Sequence, residues 1–249
     1  MINYRLLALD LDGTLLNRRN KISAKNKKAI RQAQDAGVVV ALTTGRGIQR
    51  VAHLLKKVDL EGPLVMANGA DVRLNPNQLL SRHFIRKEDI HYLHDMAVRT
   101  GVKFWGYSME SFTKGTEWTA EMFEQHWLKF AMKDDDLEKI SLLRQQCENL
   151  SHIEITSSAR NNLEISLKGI TKRYGVERVC ERLGIAMEEV MSIGDNLNDY
   201  HLMESVGFGV AMGNGDEKLK KIADAVTDTN DKSGVAKAIQ RYLLGESRQ

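Results

Sequence analysis

LLALDLDGTL, from Leu6 to Leu15, ends an apolar run with two carboxylates one residue apart. In an extended chain residues i and i+2 share a face, so Asp10 and Asp12 can address one small volume just beyond a buried strand. Gly13 lets the backbone turn away from it. Carboxylates so close repel one another and drive one pKa up unless a cation lies between them. A divalent ion with hard oxygen ligands, most naturally Mg2+, resolves that conflict. Taken alone, Asp-x-Asp at a strand end is equally an Asp turn followed by an Asp helix cap.

Working outward, the chain alternates strands and helices on both sides of that stretch. Ser23 is placed to cap a helix carrying Ala29, Ile30 and Ala33 at helical spacing, with Gly37 as its stop. Val38 to Leu42 is apolar throughout and reads as a strand buried on both faces, so the strand, helix, strand order predicts a parallel βαβ unit. A helix follows with Val51, Leu54, Leu55 and Val58 on one side, then a third strand over Leu64 to Ala67. The alternation resumes near the C-terminus. An amphipathic helix over Thr171 to Leu183 precedes strands at Val190 to Ile193, Phe208 to Ala211 and Ala225 to Val226, with helices from Tyr200 and over Val235 to Leu244. This is the pattern of an α/β fold with a doubly wound parallel sheet.

Between about His83 and Lys168 the texture changes. Ten of the fifteen aromatic residues lie here, including Trp105, Trp118 and Trp127, enough for a separate small core. Helices are predicted over Ile90 to Thr100 and Leu137 to Leu150, and strands over Lys103 to Tyr107, His152 to Thr156 and Leu163 to Leu167. The chain therefore divides into a first core part (1–82), an inserted α+β domain (83–168) and a second core part (169–249). The acids Asp134 to Asp136 read as a helix start rather than a metal site.

Net charge is +3, with 25 Lys/Arg against 19 Asp/Glu in the two outer parts and 11 against 14 in the middle. A mildly basic body suits small anionic substrates but lacks the clustered basic stripe of a nucleic-acid binder. The basic run Lys21 to Arg31 reads as the solvated face of a helix. No apolar stretch approaches the length of a bilayer span and no leader pattern opens the chain, so a cytoplasmic protein without a membrane partner is expected. Cys147 and Cys180 are far apart and form no metal or disulfide pattern.

In an open parallel sheet, ligands bind at the carboxyl ends of the strands. Four such ends here carry DLDGT, TTGR, NGA and GDNLND. With Asp10-Leu11-Asp12-Gly13-Thr14, Thr44-Gly45-Arg46, Lys172 and Gly194-Asp195-Asn196-Leu197-Asn198-Asp199 in this order, the chain resembles the Cof-type, α/β-capped (type IIB) branch of the haloacid dehalogenase phosphatases. The tails GFGVAMGN and DAVTDTNDKSGVA resemble that branch too, so the likeness covers nearly the whole length.

The resemblance implies Asp10 as nucleophile, forming an aspartyl-phosphate, and Asp12 as acid and then base. It implies Mg2+ held by the Asp10 carboxylate, the Asp12 backbone carbonyl and Asp195, with Asp199 acting behind the ligands. Thr44, the Leu11 and Gly45 amides, Lys172 and Asn198 would bind the phosphoryl group. Thr44 and Lys172 are 128 positions apart, which puts the inserted domain between the second and third motifs, where the branch carries its substrate-selecting cap. Two departures stand out: Arg173 follows Lys172 where the branch usually has Gly, and Leu167 replaces a usual Pro. The implied activity is hydrolysis of small phosphorylated metabolites such as sugar phosphates, pyridoxal phosphate, flavin mononucleotide or the phosphorylated ribitylaminouracil precursor of riboflavin, by a monomer or homodimer. A phosphomutase on the same scaffold, or a phospho-accepting or metabolite-binding regulator, are the alternatives.

Overall fold

The computed structural model describes residues 4–58 and 61–245, without the side chains of 55–58, so the expected inward positions Leu55 and Val58 lie outside the described side chains. The first part runs β1 (Leu6–Asp10), α1 (Ala24–Asp35), β2 (Val39–Thr43), α2 (Ile48–Val58), β3 (Leu64–Met66), β4 (Asp71–Asn75) and β5 (Gln78–Arg82). The middle adds α3 (Lys87–Thr100), β6 (Lys103–Ser108), β7 (Phe112–Lys114), β8 (Trp127–Lys133), α4 (Leu137–Glu148), β9 (Ile153–Thr156) and β10 (Asn162–Leu167). The last part is α5 (Lys172–Leu183), β11 (Val190–Gly194), α6 (Tyr200–Met203), β12 (Phe208–Ala211), α7 (Glu217–Ile222), β13 (Ala225–Val226) and α8 (Gly234–Ala238).

One sheet of eight strands has the order β13-β12-β11-β1-β2-β3-β4-β5. Its strands from β13 to β3 are parallel, and β4 and β5 close the edge as an antiparallel hairpin. β1, apolar up to its last residue Asp10, lies between β11 and β2, in register Leu6↔Val190 and Leu6↔Val39. Strand alternation splits its side chains between two layers. Leu7 and Leu9 pack with Ile30 of α1 and Val235 of α8, whereas Leu6 and Ala8 pack with Val176 and Val179 of α5. Asp10 continues the second set, so the alternation itself aims its carboxylate at the start of α5.

The other sheet is antiparallel, in the order β7-β6-β8-β10-β9. α3 and α4 cover one face, burying Leu93, Met96, Trp127, Phe130, Leu163 and Ile165, with Trp118 stacked on Trp127 at 4.4 Å between centroids. Its opposite face looks onto the parallel sheet. The acidic run is a helix cap: Asp136 accepts from the amides of Glu138 and Lys139, and Asp134 accepts from the Asp136 amide. α4 stops at Glu148, two residues short of expectation, and the helix expected from Val235 starts at Gly234 and widens into a π turn over Ile239–Leu243.

Candidate active site

Each motif reaches the site from a strand end. After β1 the chain turns at Gly13, whose φ of +80° is a left-handed backbone and where an added Cβ would stand 2.2 Å from Asp195 Oδ2. Glycine is required there on both counts. Thr14 Oγ1 donates to Asp195 Oδ1 at 3.0 Å, which ties the first loop to the loop after β11. Asn214 Nδ2 donates to the Gly13 carbonyl from the far side at 2.8 Å.

Lys172 is the first residue of α5, behind the N-cap Thr171, and its side chain has no exposure. The ammonium donates to Asp10 Oδ1 at 2.6 Å and to Asp199 Oδ1 at 2.7 Å. The other Asp199 oxygen accepts from the amides of Asp195 and Asn196, at 3.1 and 3.3 Å. Both oxygens of Asp199 are thus committed to holding Lys172 and the GDNLND loop. Lys168 and Arg173, the two neighbouring cations, have side chains 62% and 53% exposed and pair with Glu154 and Glu177 instead.

β2 ends in register with β1, Asp10↔Thr43, and delivers the next motif beside it. Thr44 is buried and its Oγ1 accepts from the Arg46 amide at 3.1 Å. Arg46 forks onto Asp12, with Nε on Oδ2 at 2.7 Å and Nη2 on Oδ1, so the half-exposed Asp12 carboxylate is held in a bidentate pair. Beyond β3, Ala67 and Asn68 take positive φ of 48° and 57°, a strained backbone for two side-chain-bearing residues. That fold aims Asn68 at the second sheet, where Nδ2 donates to Glu164 Oε2 at 2.6 Å and to Thr156 Oγ1 at 3.2 Å. Asn198 Nδ2 donates to Asn68 Oδ1 at 3.3 Å.

The donor set suits a hard cation. Carboxylate oxygens of Asp10, Asp195 and Asp199 lie within 4.8 Å of one another, all buried. Asp10 Oδ2 is buried without a hydrogen-bond partner. Three carboxylates face a single ammonium, and the pKa shifts follow from that imbalance. Burial, together with Asp199 and Asp195, pushes Asp10 well above the usual carboxylate range despite Lys172. Burial and Asp199 push Asp195 up to about 7. Burial opposes the charge on Lys172, but Asp10 and Asp199 outweigh it and raise its pKa. A divalent ion is the species such a net-negative oxygen cluster accepts.

Asp10 and Asp12 open into a cavity of about 890 Å3 between the two sheets. Its walls include Gly45, Arg46, Asn196 and Asn198 from the parallel sheet and Trp105, Tyr107, Phe112, Lys129 and Glu164 from the antiparallel one. Of the aromatic residues, Trp118, Trp127 and Phe123 belong to the packed interior of the second sheet, whereas Trp105, Tyr107 and Phe112 face the cavity. The turn between β9 and β10 sits on the acidic loop: the Ser157 carbonyl accepts from the Asn198 amide at 3.0 Å and the Ser158 carbonyl from Asn196 Nδ2 at 2.8 Å.

The residues given a chemical role in the sequence lie at the end of β1, on the segments that follow β1, β2 and β11, and at the start of α5. Leu11 is buried directly behind Asp12, its carbonyl accepting from the Leu16 amide at 2.8 Å. Sequence reasoning gave no role to Arg46, Asn68, Thr14, Lys129 or Glu164. Arg46 and Asn68 stood inside quoted motifs, TTGR and NGA, whereas Lys129 and Glu164 carried no local signal and meet the site only through the pairing of β8 with β10.

A family model for haloacid dehalogenase-like hydrolases matches residues 7–239. The chain is 37% identical to a 5-amino-6-(5-phospho-D-ribitylamino)uracil phosphatase of Bacillus subtilis, over 98% of this chain and 97% of that one. It is 25% identical to a pyridoxal phosphate phosphatase of Escherichia coli, over 96% and 99% of the two chains. The solved structure of a haloacid dehalogenase-like hydrolase from B. subtilis superposes with a TM-score of 0.90 at 27% identity, covering 96% of this chain and all of the other. The chain belongs to the haloacid dehalogenase superfamily, in its Cof-type, α/β-capped branch of phosphatases.

Proposed function

We propose that the protein is a Mg2+-dependent phosphatase of small phosphorylated metabolites in the cytoplasm, working through an aspartyl-phosphate on Asp10. The Asp10 carboxylate attacks phosphorus and the ester oxygen departs with a proton from Asp12, which then takes a proton from the water that opens the aspartyl-phosphate. Arg46 holds the ionised Asp12 carboxylate against the cavity that Asp10 also lines, in the form that takes the proton from water. Thr44, the Leu11 and Gly45 amides, Lys172 and Asn198 bind and orient the phosphoryl oxygens.

The Asp10 carboxylate, the Asp12 backbone carbonyl and Asp195 would hold Mg2+, which supplies charge neutralisation between nucleophile and phosphate dianion. The engagement of both Asp199 oxygens supports its placement behind the ligands, orienting Lys172 and the acidic loop. Residues 83–168 act as the cap that selects substrate and excludes water, over a core made of 1–82 and 169–249. The substrate range that the family resemblance implies is sugar phosphates, pyridoxal phosphate, flavin mononucleotide and the phosphorylated ribitylaminouracil, and relatives named for the second and the last are among those matched.

The observation that carries this reading is the convergence of Asp10, Asp195, Asp199 and Lys172 in one buried cluster with Asp12 on its open side. Phosphate release from a panel of phosphorylated metabolites, with Mg2+ and with a chelator, tests it. Turnover of at least one ester that stops on chelation is expected. Inactivity towards every ester in the presence of Mg2+, or turnover indifferent to chelation, contradicts it.

A further inference from the structure

The antiparallel sheet brings to the cavity a buried ion pair that the proposed chemistry does not use. Lys129 of β8 and Glu164 of β10 are 2% and 4% exposed, and Lys129 Nζ lies 3.1 Å from Glu164 Oε1. Glu164 is partly engaged: Oε1 also accepts from Ser158 Oγ at 2.7 Å, and Oε2 accepts from Asn68 Nδ2 at 2.6 Å, which leaves a lone pair of Oε2 open among the described residues. Lys129 has capacity to spare as well. An ammonium carries three donors, and among the described residues Glu164 is the acceptor it meets, its other close neighbour being the Tyr107 ring at 5.5 Å from the centroid. Both charged groups line the cavity that holds Asp10 and Asp12, and each reaches within 3.0 Å of where a Cβ on Gly45 would stand. Burying an ion pair with spare donors costs stability, and a ligand offering oxygens to those donors recovers it.

Charge decides the kind of oxygen. A carboxylate beside the ammonium repels a second anionic group, whereas a hydroxyl both donates and accepts and so satisfies a cation, a carboxylate and an amide set side by side. We infer that Lys129 and Glu164, with Asn68, form a hydroxyl-reading subsite that makes the enzyme selective for phosphate monoesters of polyhydroxylated chains. This deepens the phosphatase reading and rests on it. A site built to hydrogen-bond hydroxyls discriminates strongly against an analogue that lacks them, because its buried polar groups are then left unpaired.

Ribitol 5-phosphate and pentyl phosphate test the inference, having the same five-carbon chain with and without hydroxyls. The readout is the ratio of their kcat/KM values for the wild type, Lys129→Met, Glu164→Gln and the double variant. The wild type is expected to favour ribitol 5-phosphate about a hundredfold or more, and each variant to shrink that ratio about tenfold or more, whatever happens to the absolute rates. The double variant, checked for folding by circular dichroism, removes both buried charges together and so avoids leaving one unpaired. A wild-type ratio near one, or a ratio unchanged in the folded double variant, overturns the subsite while leaving the phosphatase reading intact. Failure of the wild type to hydrolyse any ester removes that reading, and the subsite with it.

Discussion

Replacing Lys172 by Met keeps most of the buried volume and removes the one ammonium inside the carboxylate cluster. The lost contacts are those to Asp10 and Asp199, at 2.6 and 2.7 Å, in a place with no solvent exposure. Breaking a buried pair by removing one partner costs about 3–5 kcal/mol, which for a chain of this size lowers the melting temperature by about 6–20 °C in the metal-free protein. Saturating Mg2+ should return part of that loss, because it adds positive charge to the same cluster and binds the folded state. In catalysis, a positioned donor at a desolvated phosphoryl group is worth about a hundredfold or more. Steady-state phosphate release should therefore show kcat/KM falling by about that factor for Lys172→Met, whereas Lys168→Ala and Arg173→Ala stay within about fivefold, since exposed ion pairs contribute little. Wild-type rates in Lys172→Met, or a larger loss at Lys168, would refute the assignment.

Three further outcomes follow from particular contacts. Gly13→Ala forces a side chain into a left-handed backbone and onto Asp195, so calorimetric titration should show Mg2+ affinity weakened about tenfold or more; unchanged affinity would mean that Asp195 is not a ligand. Glu164 is held below its ordinary 4.5 because Lys129, Asn68 and Ser158 outweigh the effect of burial. A carboxyl whose folded pKa is depressed contributes stability above its unfolded pKa and loses it as pH falls through the folded one, so the melting-temperature gap between wild type and Glu164→Gln should be full at neutral pH and close below about pH 4.5. A gap that widens on acidification contradicts this. Replacing residues 83–168 with a short linker should erode discrimination among natural esters more than turnover of a small artificial one; equal loss on both would give that segment a part in the chemistry or in folding.

The parallel sheet was legible because its strands are buried on both faces and therefore written as unbroken apolar runs, as in Leu6 to Leu9 and Val38 to Leu42. Asp10, Asp12, Thr44 and the GDNLND loop stood out as candidates because each ends or directly follows such a strand, and Lys172 because it opens a helix. The β4–β5 hairpin was not. Its residues are Arg, Asn, Gln and Ser as often as apolar, and Asp71 is neutralised by Arg73 and Arg82, at 3.1 and 2.9 Å, through pairing that no local pattern announces. β8 was hidden for a related reason: Lys129 interrupts the otherwise apolar buried run Trp127 to Met132, and only its partner Glu164, 35 residues away, explains a lysine at a buried position. The same is true of Arg46, whose function is set by Asp12 across the site. Residues whose chemistry depends on one distant partner leave no periodicity to read.

The central claim is that Asp10 becomes covalently phosphorylated. Asp12→Asn, incubated with Mg2+ and an ester bearing a good leaving group, should accumulate phospho-enzyme, because departure of such a group needs no acid while hydrolysis of the aspartyl-phosphate needs the base. Mass spectrometry of the peptide that contains residues 5–18 should find one phosphoryl group on Asp10, absent from Asp10→Asn, which remains folded and does not turn over. Phosphate release near the wild-type rate from Asp10→Asn, or a phosphoryl group found on any other residue, would contradict the account.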